Sequence, residues 1–212
     1  MAAHALPALN PALKLAETLD RNLDAPTEVV VFGASALLLD PSFSVYMLDR
    51  KTDDIDIIVP ETHEMKVEAD HGFWRGVQKT NDELESEGLY ISHIFGENQI
   101  PLTPEWQDHL VRLEIPTLTK LRLSRPRVLD LVISKMARGD DVDVEDVRRM
   151  LQSEHKRTGK IISAREIQAA AERTRVPGLL QEIFPEARRR IVTVAEEVER
   201  SLAIRPSRGI RP

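Results

Sequence analysis

Two aspartates, Asp54 and Asp56, stand two residues apart in the stretch Asp54–Val59 (DIDIIV), which is otherwise apolar. On an extended strand, alternate side chains share a face, so the two carboxylates project together from Cα atoms about 6.5–7 Å apart. A carboxylate pair in an apolar strand needs compensation. A divalent cation between the oxygens supplies it, above all Mg²⁺ that also takes substrate phosphates. The competing reading is a solvated edge, since acid-x-acid triplets recur here, as at Asp141 and Asp143. Just upstream, Val29–Phe32 reads as a buried strand that turns through Gly33, Ala34 and Ser35 into a short helix, 36–39. Helix N-terminal amides and a hydroxyl are good phosphate donors, so Gly33 and Ser35 beside the acid pair outline a site for a metal-bound nucleoside triphosphate. The same turn reads equally as a plain strand-to-helix junction capped by Ser35. Arg50 and Thr52 precede the acid pair and either bind phosphate or brace the strand.

A second set of charges follows the first by about 80 residues. Lys135 and Arg138 are three apart, so both cations lie on one helix face. Asp143 and Asp146 repeat the spacing at the start of the next predicted helix, where Asp143 suits an N-cap and Asp146 the N-terminal dipole. Taken separately, these are ordinary helix-surface roles. The six histidines (4, 63, 71, 93, 109, 155) show no paired metal spacing, and His93, inside a predicted strand, reads as a core histidine.

The elements that must hold these residues follow from periodicity. Leucines at 9, 13, 15, 19 and 23 predict an amphipathic helix over 8–24. Phe73, Val77 and Leu84 predict a helix over 73–87, ended by Gly88. Strands are expected at 89–95, 109–115 and 118–123, the last two separated by Pro116. From Pro126 the pattern is helical. A buried helix stops at Gly139, a second starts near Asp143, and a third starts at the capping box Ser-Ala-Arg-Glu from Ser163. Pro177-Gly178 breaks the chain before a last amphipathic helix over 185–202, and the tail 205–212 is expected to fray. The expected class is α+β: a small mixed sheet flanked by helices over 1–125, then a helical subdomain over 126–212.

Composition sets outer bounds. With 42% hydrophobic and 30% charged residues, the 212-residue chain reads as a folded globular protein. It has no cysteine, which excludes disulfides and thiolate metal sites. There is no signal pattern and no apolar run near the ~18 residues of a membrane helix, so a cytoplasmic location without membrane association is expected. Residues 1–125 hold 11 Lys and Arg against 21 Asp and Glu, a balance of −10, whereas residues 126–212 hold 18 against 14, or +4. An acidic half able to gather metal, joined to a mildly basic one, suits a polyanionic substrate; ordinary solvated helix faces explain the same numbers.

The run Phe32-Gly33-Ala34-Ser35-Ala36-Leu37 followed by Arg50-Lys51-Thr52-Asp53-Asp54-Ile55-Asp56-Ile57 resembles the first motif of the DNA polymerase β-like nucleotidyltransferase superfamily. Over about 29–150, with GLYISHIF at 88–95 and DLVISKMARGDDVDVED at 130–146, the chain resembles a bacterial family of uncharacterised nucleotidyltransferase-like proteins related to abortive-infection toxins. The resemblance implies that Asp54 and Asp56 bind Mg²⁺, in a two-metal site, and that Gly33 and Ser35 hold the triphosphate. It implies that Lys135 and Arg138 contact phosphates and that Asp143 is a base or positioning residue. It also implies a third carboxylate on a neighbouring strand, for which Glu114 is the candidate, although an ordinary surface glutamate is the favoured reading of that residue. Ala34 departs from the pattern, standing where many relatives have a second glycine or serine. The implied activity is nucleotide transfer from a nucleoside triphosphate to tRNA, protein or a small molecule, within a toxin–antitoxin setting that supplies a cognate antitoxin or toxin. The alternative is a catalytically degenerate, antitoxin-like binding protein on the same scaffold.

Overall fold

The computed structural model describes residues 10–47 and 50–203. Helix α1 is Pro11–Asn22; Pro11 fits its first position, and the Asn10 side chain caps the amides of Ala12 and Leu13 at 3.0 and 3.3 Å. Leu9, expected in this helix, and the tail 205–212 lie outside the described residues. Strand β1 (Thr27–Phe32) leads directly into α2 (Gly33–Leu38), then α3 (Pro41–Ser44) and β2 (Asp54–Val59). Two helices, α4 (Glu64–Glu68) and α5 (His71–Leu84), connect to β3 (Tyr90–Gly96). The two edge-side strands are β4 (Val111–Arg112) and β5 (Leu121–Arg125). Four helices complete the described residues: α6 (Val128–Ser134), α7 (Asp141–Thr158), α8 (Ala164–Arg173) and α9 (Phe184–Ala203).

The sheet is mixed, in the order β3-β2-β1-β5-β4. β1 runs antiparallel to β2 and parallel to β5, while β2 and β3 are parallel and β4 and β5 antiparallel. Two expected strands are displaced. The 109–115 strand shrinks to an exposed two-residue edge, and the 118–123 strand begins at Leu121. The cause of the second shift is local: one oxygen of the buried Asp20 accepts the amides of Thr119, Lys120 and Leu121 at 2.9, 2.6 and 2.6 Å. Burial alone would raise the Asp20 pKa, but these amides outweigh it and hold the carboxyl low.

One buried cluster runs from Leu15 through Val31 and Ile57 to Met136, Met150 and Val194. The helices after residue 125 therefore share a core with the sheet, and the end of β5 at Arg125 marks a change in element type rather than a break in packing. The opposite sheet face carries a small cluster of Ile58, Ile100, Leu102 and Trp106, which leaves part of that face open.

Between β2 and β3 the register slips once. Ile55 faces Ile91, but Asp56 faces His93, so Ser92 is an extra residue on β3. Such a bulge puts two consecutive residues opposite one and breaks the alternation of faces.

Candidate active site

Asp54 and Asp56 lie on the face of β2 away from the main core, both half-buried. Pairing of Phe32 with Asp56 brings the turn at Gly33 against the second carboxylate. Gly33 has φ +67°, and a Cβ there would meet Asp56 Oδ2 at 2.9 Å. Glycine is required twice over, for the left-handed backbone and for the close approach. Thr52 Oγ1 donates to Asp54 Oδ1 at 2.7 Å. Ser92 Oγ lies 3.1 Å from Asp54 Oδ2 and 3.3 Å from Asp56 Oδ1. A single hydroxyl proton serves only one carboxylate at a time, so the pair is short of positive charge. Burial, and then the neighbouring Asp54 charge, push the Asp56 carboxyl up, against smaller opposing effects of His93, Ser92 and Lys135.

The second cluster is built at the α6–α7 junction. Asp140 is the N-cap of α7, accepting the Asp143 amide at 2.8 Å. Asp143 is therefore the third residue of the helix rather than its cap, and its carboxylate is free to meet cations. Lys135 Nζ donates to Asp143 Oδ1 at 2.9 Å and to Asp146 Oδ2 at 2.8 Å. Arg138 grips Asp143 through Nε and Nη2 at 3.1 and 3.0 Å, and Arg50 Nε reaches Asp146 at 2.8 Å. Both aspartates are buried. Burial would raise their pKa values, but Arg138 and Lys135 at Asp143, and Arg50 and Lys135 at Asp146, outweigh it and hold both carboxyls low. The two clusters sense each other, since the Lys135 charge acts on Asp56 and the Asp56 charge acts on Arg138.

Of the residues expected at the site, the fold gathers Asp54, Asp56, Gly33 and Thr52 in one group and Arg50, Lys135, Arg138 and Asp143 in the other. Arg50 and Thr52 both take the bracing geometry. Ser35 is buried, and its hydroxyl donates to the Phe32 carbonyl at 2.9 Å, which leaves its backbone amide as the donor it can offer. Glu114 is not brought to the pair, so its candidate role as third ligand is corrected and the surface-glutamate reading holds. It follows β4, at the sheet edge opposite β3, with its side chain 84% exposed and 3.3 Å from Arg112. Two strands separate β4 from β2, more than any side chain spans.

Sequence reasoning missed Ser92 and His93. Counting alternately from the core residue Ile91 sends His93 inward, but the bulge turns it onto the aspartate face, 60% exposed, with Nδ1 3.6 Å from Asp56 Oδ1. Two adjacent polar residues inside an apolar strand were the available signal. Among the described residues, Asp54, Asp56 and His93 form the group of three whose ligand atoms lie within 4.8 Å of one another. A cavity of about 640 Å³ lies instead against the start of β1 and the end of β2, lined by Val30, Ile58, Arg112 and Arg122. It includes neither aspartate.

A family model described as a nucleotidyltransferase of unknown function (DUF6036) matches residues 8–155, a span that holds both clusters. The chain belongs to this family. No curated protein and no solved structure matches it. Among the described residues, no helix of this nucleotidyltransferase-family protein is long and apolar enough to cross a membrane.

Proposed function

We propose that the protein transfers a nucleotide from a nucleoside triphosphate to an acceptor hydroxyl, with a divalent cation held by Asp54 and Asp56. The observation that carries this reading is the half-buried, under-neutralised carboxylate pair facing the glycine turn in a family of nucleotidyltransferases. Mg²⁺ fits such donors, because one or two carboxylates and substrate phosphates are its usual partners. When bound, the cation neutralises the pair and the triphosphate and supplies Lewis acidity at the reacting phosphorus.

The protein's own groups then position and neutralise. Thr52 and Ser92 fix the carboxylate rotamers, and the amides after Gly33 face the phosphates. Arg138, with its side chain 65% exposed, offers the outer cation, while Lys135, 11% exposed, sets the charge behind Asp56. Asp143 positions these cations and is a poor base, being buried, doubly paired and held at low pKa. The acceptor oxygen bonds to the α-phosphorus as its proton passes to solvent water, the bond from the α-phosphorus to the bridging oxygen breaks, and that electron pair leaves on pyrophosphate. A tRNA or protein acceptor, and a cognate toxin or antitoxin, are extensions of the resemblance in motif.

The test is transfer from labelled triphosphates into total RNA and protein, wild type against Asp54→Ala/Asp56→Ala. Equal incorporation by both would remove the proposal. A second reading, a binding protein without turnover, is favoured by the absence, among the described residues, of a third carboxylate near the pair. Calorimetry showing tight triphosphate binding without incorporation would select it.

A further inference from the structure

The extra residue on β3 has a chemical result. Without it, His93 would face the main core opposite Ile57; with it, Ser92 and His93 both stand opposite Asp56, and Ile94 returns to the core side opposite Ile57. The imidazole is not consumed by packing, since 60% of the side chain is exposed, yet it is held in orientation. It stacks on Phe95 with ring centres 5.2 Å apart and planes 17° apart, and Phe95 in turn meets Phe32 edge-on at 5.5 Å. Phe32 immediately precedes Gly33, so the chain of rings ties the imidazole to the turn beside the carboxylates. Ser92 Oγ touches His93 Nδ1 at 2.8 Å as well as both aspartates. Adjacent donors around an octahedral cation with bonds near 2.1 Å stand about 3 Å apart. The three candidate ligand atoms lie within 4.8 Å of one another, somewhat wider than that spacing, so side-chain rotation has to close them onto one ion.

We propose that His93 is the third protein ligand of the cation at Asp54 and Asp56, and that its nitrogen makes this position select a first-row transition ion over Mg²⁺. The inference rests on the metal-site reading above. Mg²⁺ is bound by oxygen and holds its waters, whereas imidazole suits transition ions. With Glu114 at the far edge of the sheet, no all-oxygen triad forms at the pair among the described residues.

Mn²⁺ is the probe, titrated into the full chain and followed by electron paramagnetic resonance. Saturable binding with a nitrogen hyperfine coupling is expected, with Mg²⁺ displacing the ion only at an excess of at least about tenfold. His93→Ala should remove that coupling and weaken Mn²⁺ binding at least about tenfold, while changing Mg²⁺ affinity far less. Because His93 is on the surface, its circular dichroism should match wild type. No saturable Mn²⁺ binding, bound Mn²⁺ without nitrogen coupling, or unchanged affinity in His93→Ala would each overturn the inference. Parallel transfer assays on Asp54→Asn and Asp56→Asn separate the two claims. If these variants keep full activity, the transferase reading fails whatever the Mn²⁺ signal. If they lose activity while wild-type Mn²⁺ shows no nitrogen, only the His93 inference fails.

Discussion

The acid pair on β2 and the ion cluster at the α6–α7 junction use the same side chains to opposite ends. Asp143 and Asp146 are almost fully buried, yet three cations satisfy them and their pKa values fall. Asp54 and Asp56 are more open, yet one serine hydroxyl, one threonine hydroxyl and a partly exposed histidine are their near partners, and the Asp56 pKa rises. Burial alone therefore does not separate the two pairs. The balance of charge does. The closed cluster is complete without a ligand, and the open pair is stable only at a cost that a cation would remove.

The sharpest way to break this contrast is Asp56→Asn. Transfer activity should fall by roughly 10³-fold, while stability to urea stays level or rises, because a neutral amide relieves buried repulsion. An active variant, or one that fails to fold, would make the pair structural like its counterpart. Asp146→Ala should show the reverse balance. It strands Lys135 and Arg50 beside a buried gap, and a loss of about 3 kcal/mol or more is expected in chemical denaturation. A loss under about 1 kcal/mol would mean that the cluster is not held by its ion pairs.

The pH dependence of stability should carry both signs. Asp143 and Asp146 have folded values below their unfolded ones, so the stability they give is present above about pH 4 and drains as pH falls through the folded values. Asp56 has a folded value above its unfolded one, so its ionisation costs stability that develops as pH rises from about 4 through that folded value. The stability gap between Asp56→Asn and wild type should therefore vanish in acid and open toward neutrality, as urea midpoints across pH will show. Gly33→Ala should cost about 1–2 kcal/mol for its left-handed backbone and disturb cation binding by crowding Asp56 Oδ2. The smallest effect is expected for Glu114→Ala, within about 0.5 kcal/mol in stability and with unchanged transfer.

Much of this was legible in the residues. The alternation in Asp54–Val59 determined that the two carboxylates share a face, because side-chain direction on a strand depends only on parity. The helix starting at Ala164 was marked by Ser163, whose hydroxyl caps the Glu166 amide, and that interaction spans three residues. Local chemistry of this kind is written in the chain itself. What the sequence could not supply was the order of the strands and the slip between two of them. Glu114 has the right type and parity but stands at the wrong edge, and no local pattern says which strands are neighbours. His93 has the parity of a core residue and is turned outward by one unpaired serine, because a bulge arises from the pairing of β2 with β3 and not from either strand alone. Likewise, whether Lys135 serves a substrate or a buried aspartate depended on where Asp143 and Asp146 came to rest, and only the packing of α7 against the α6 turn decided that.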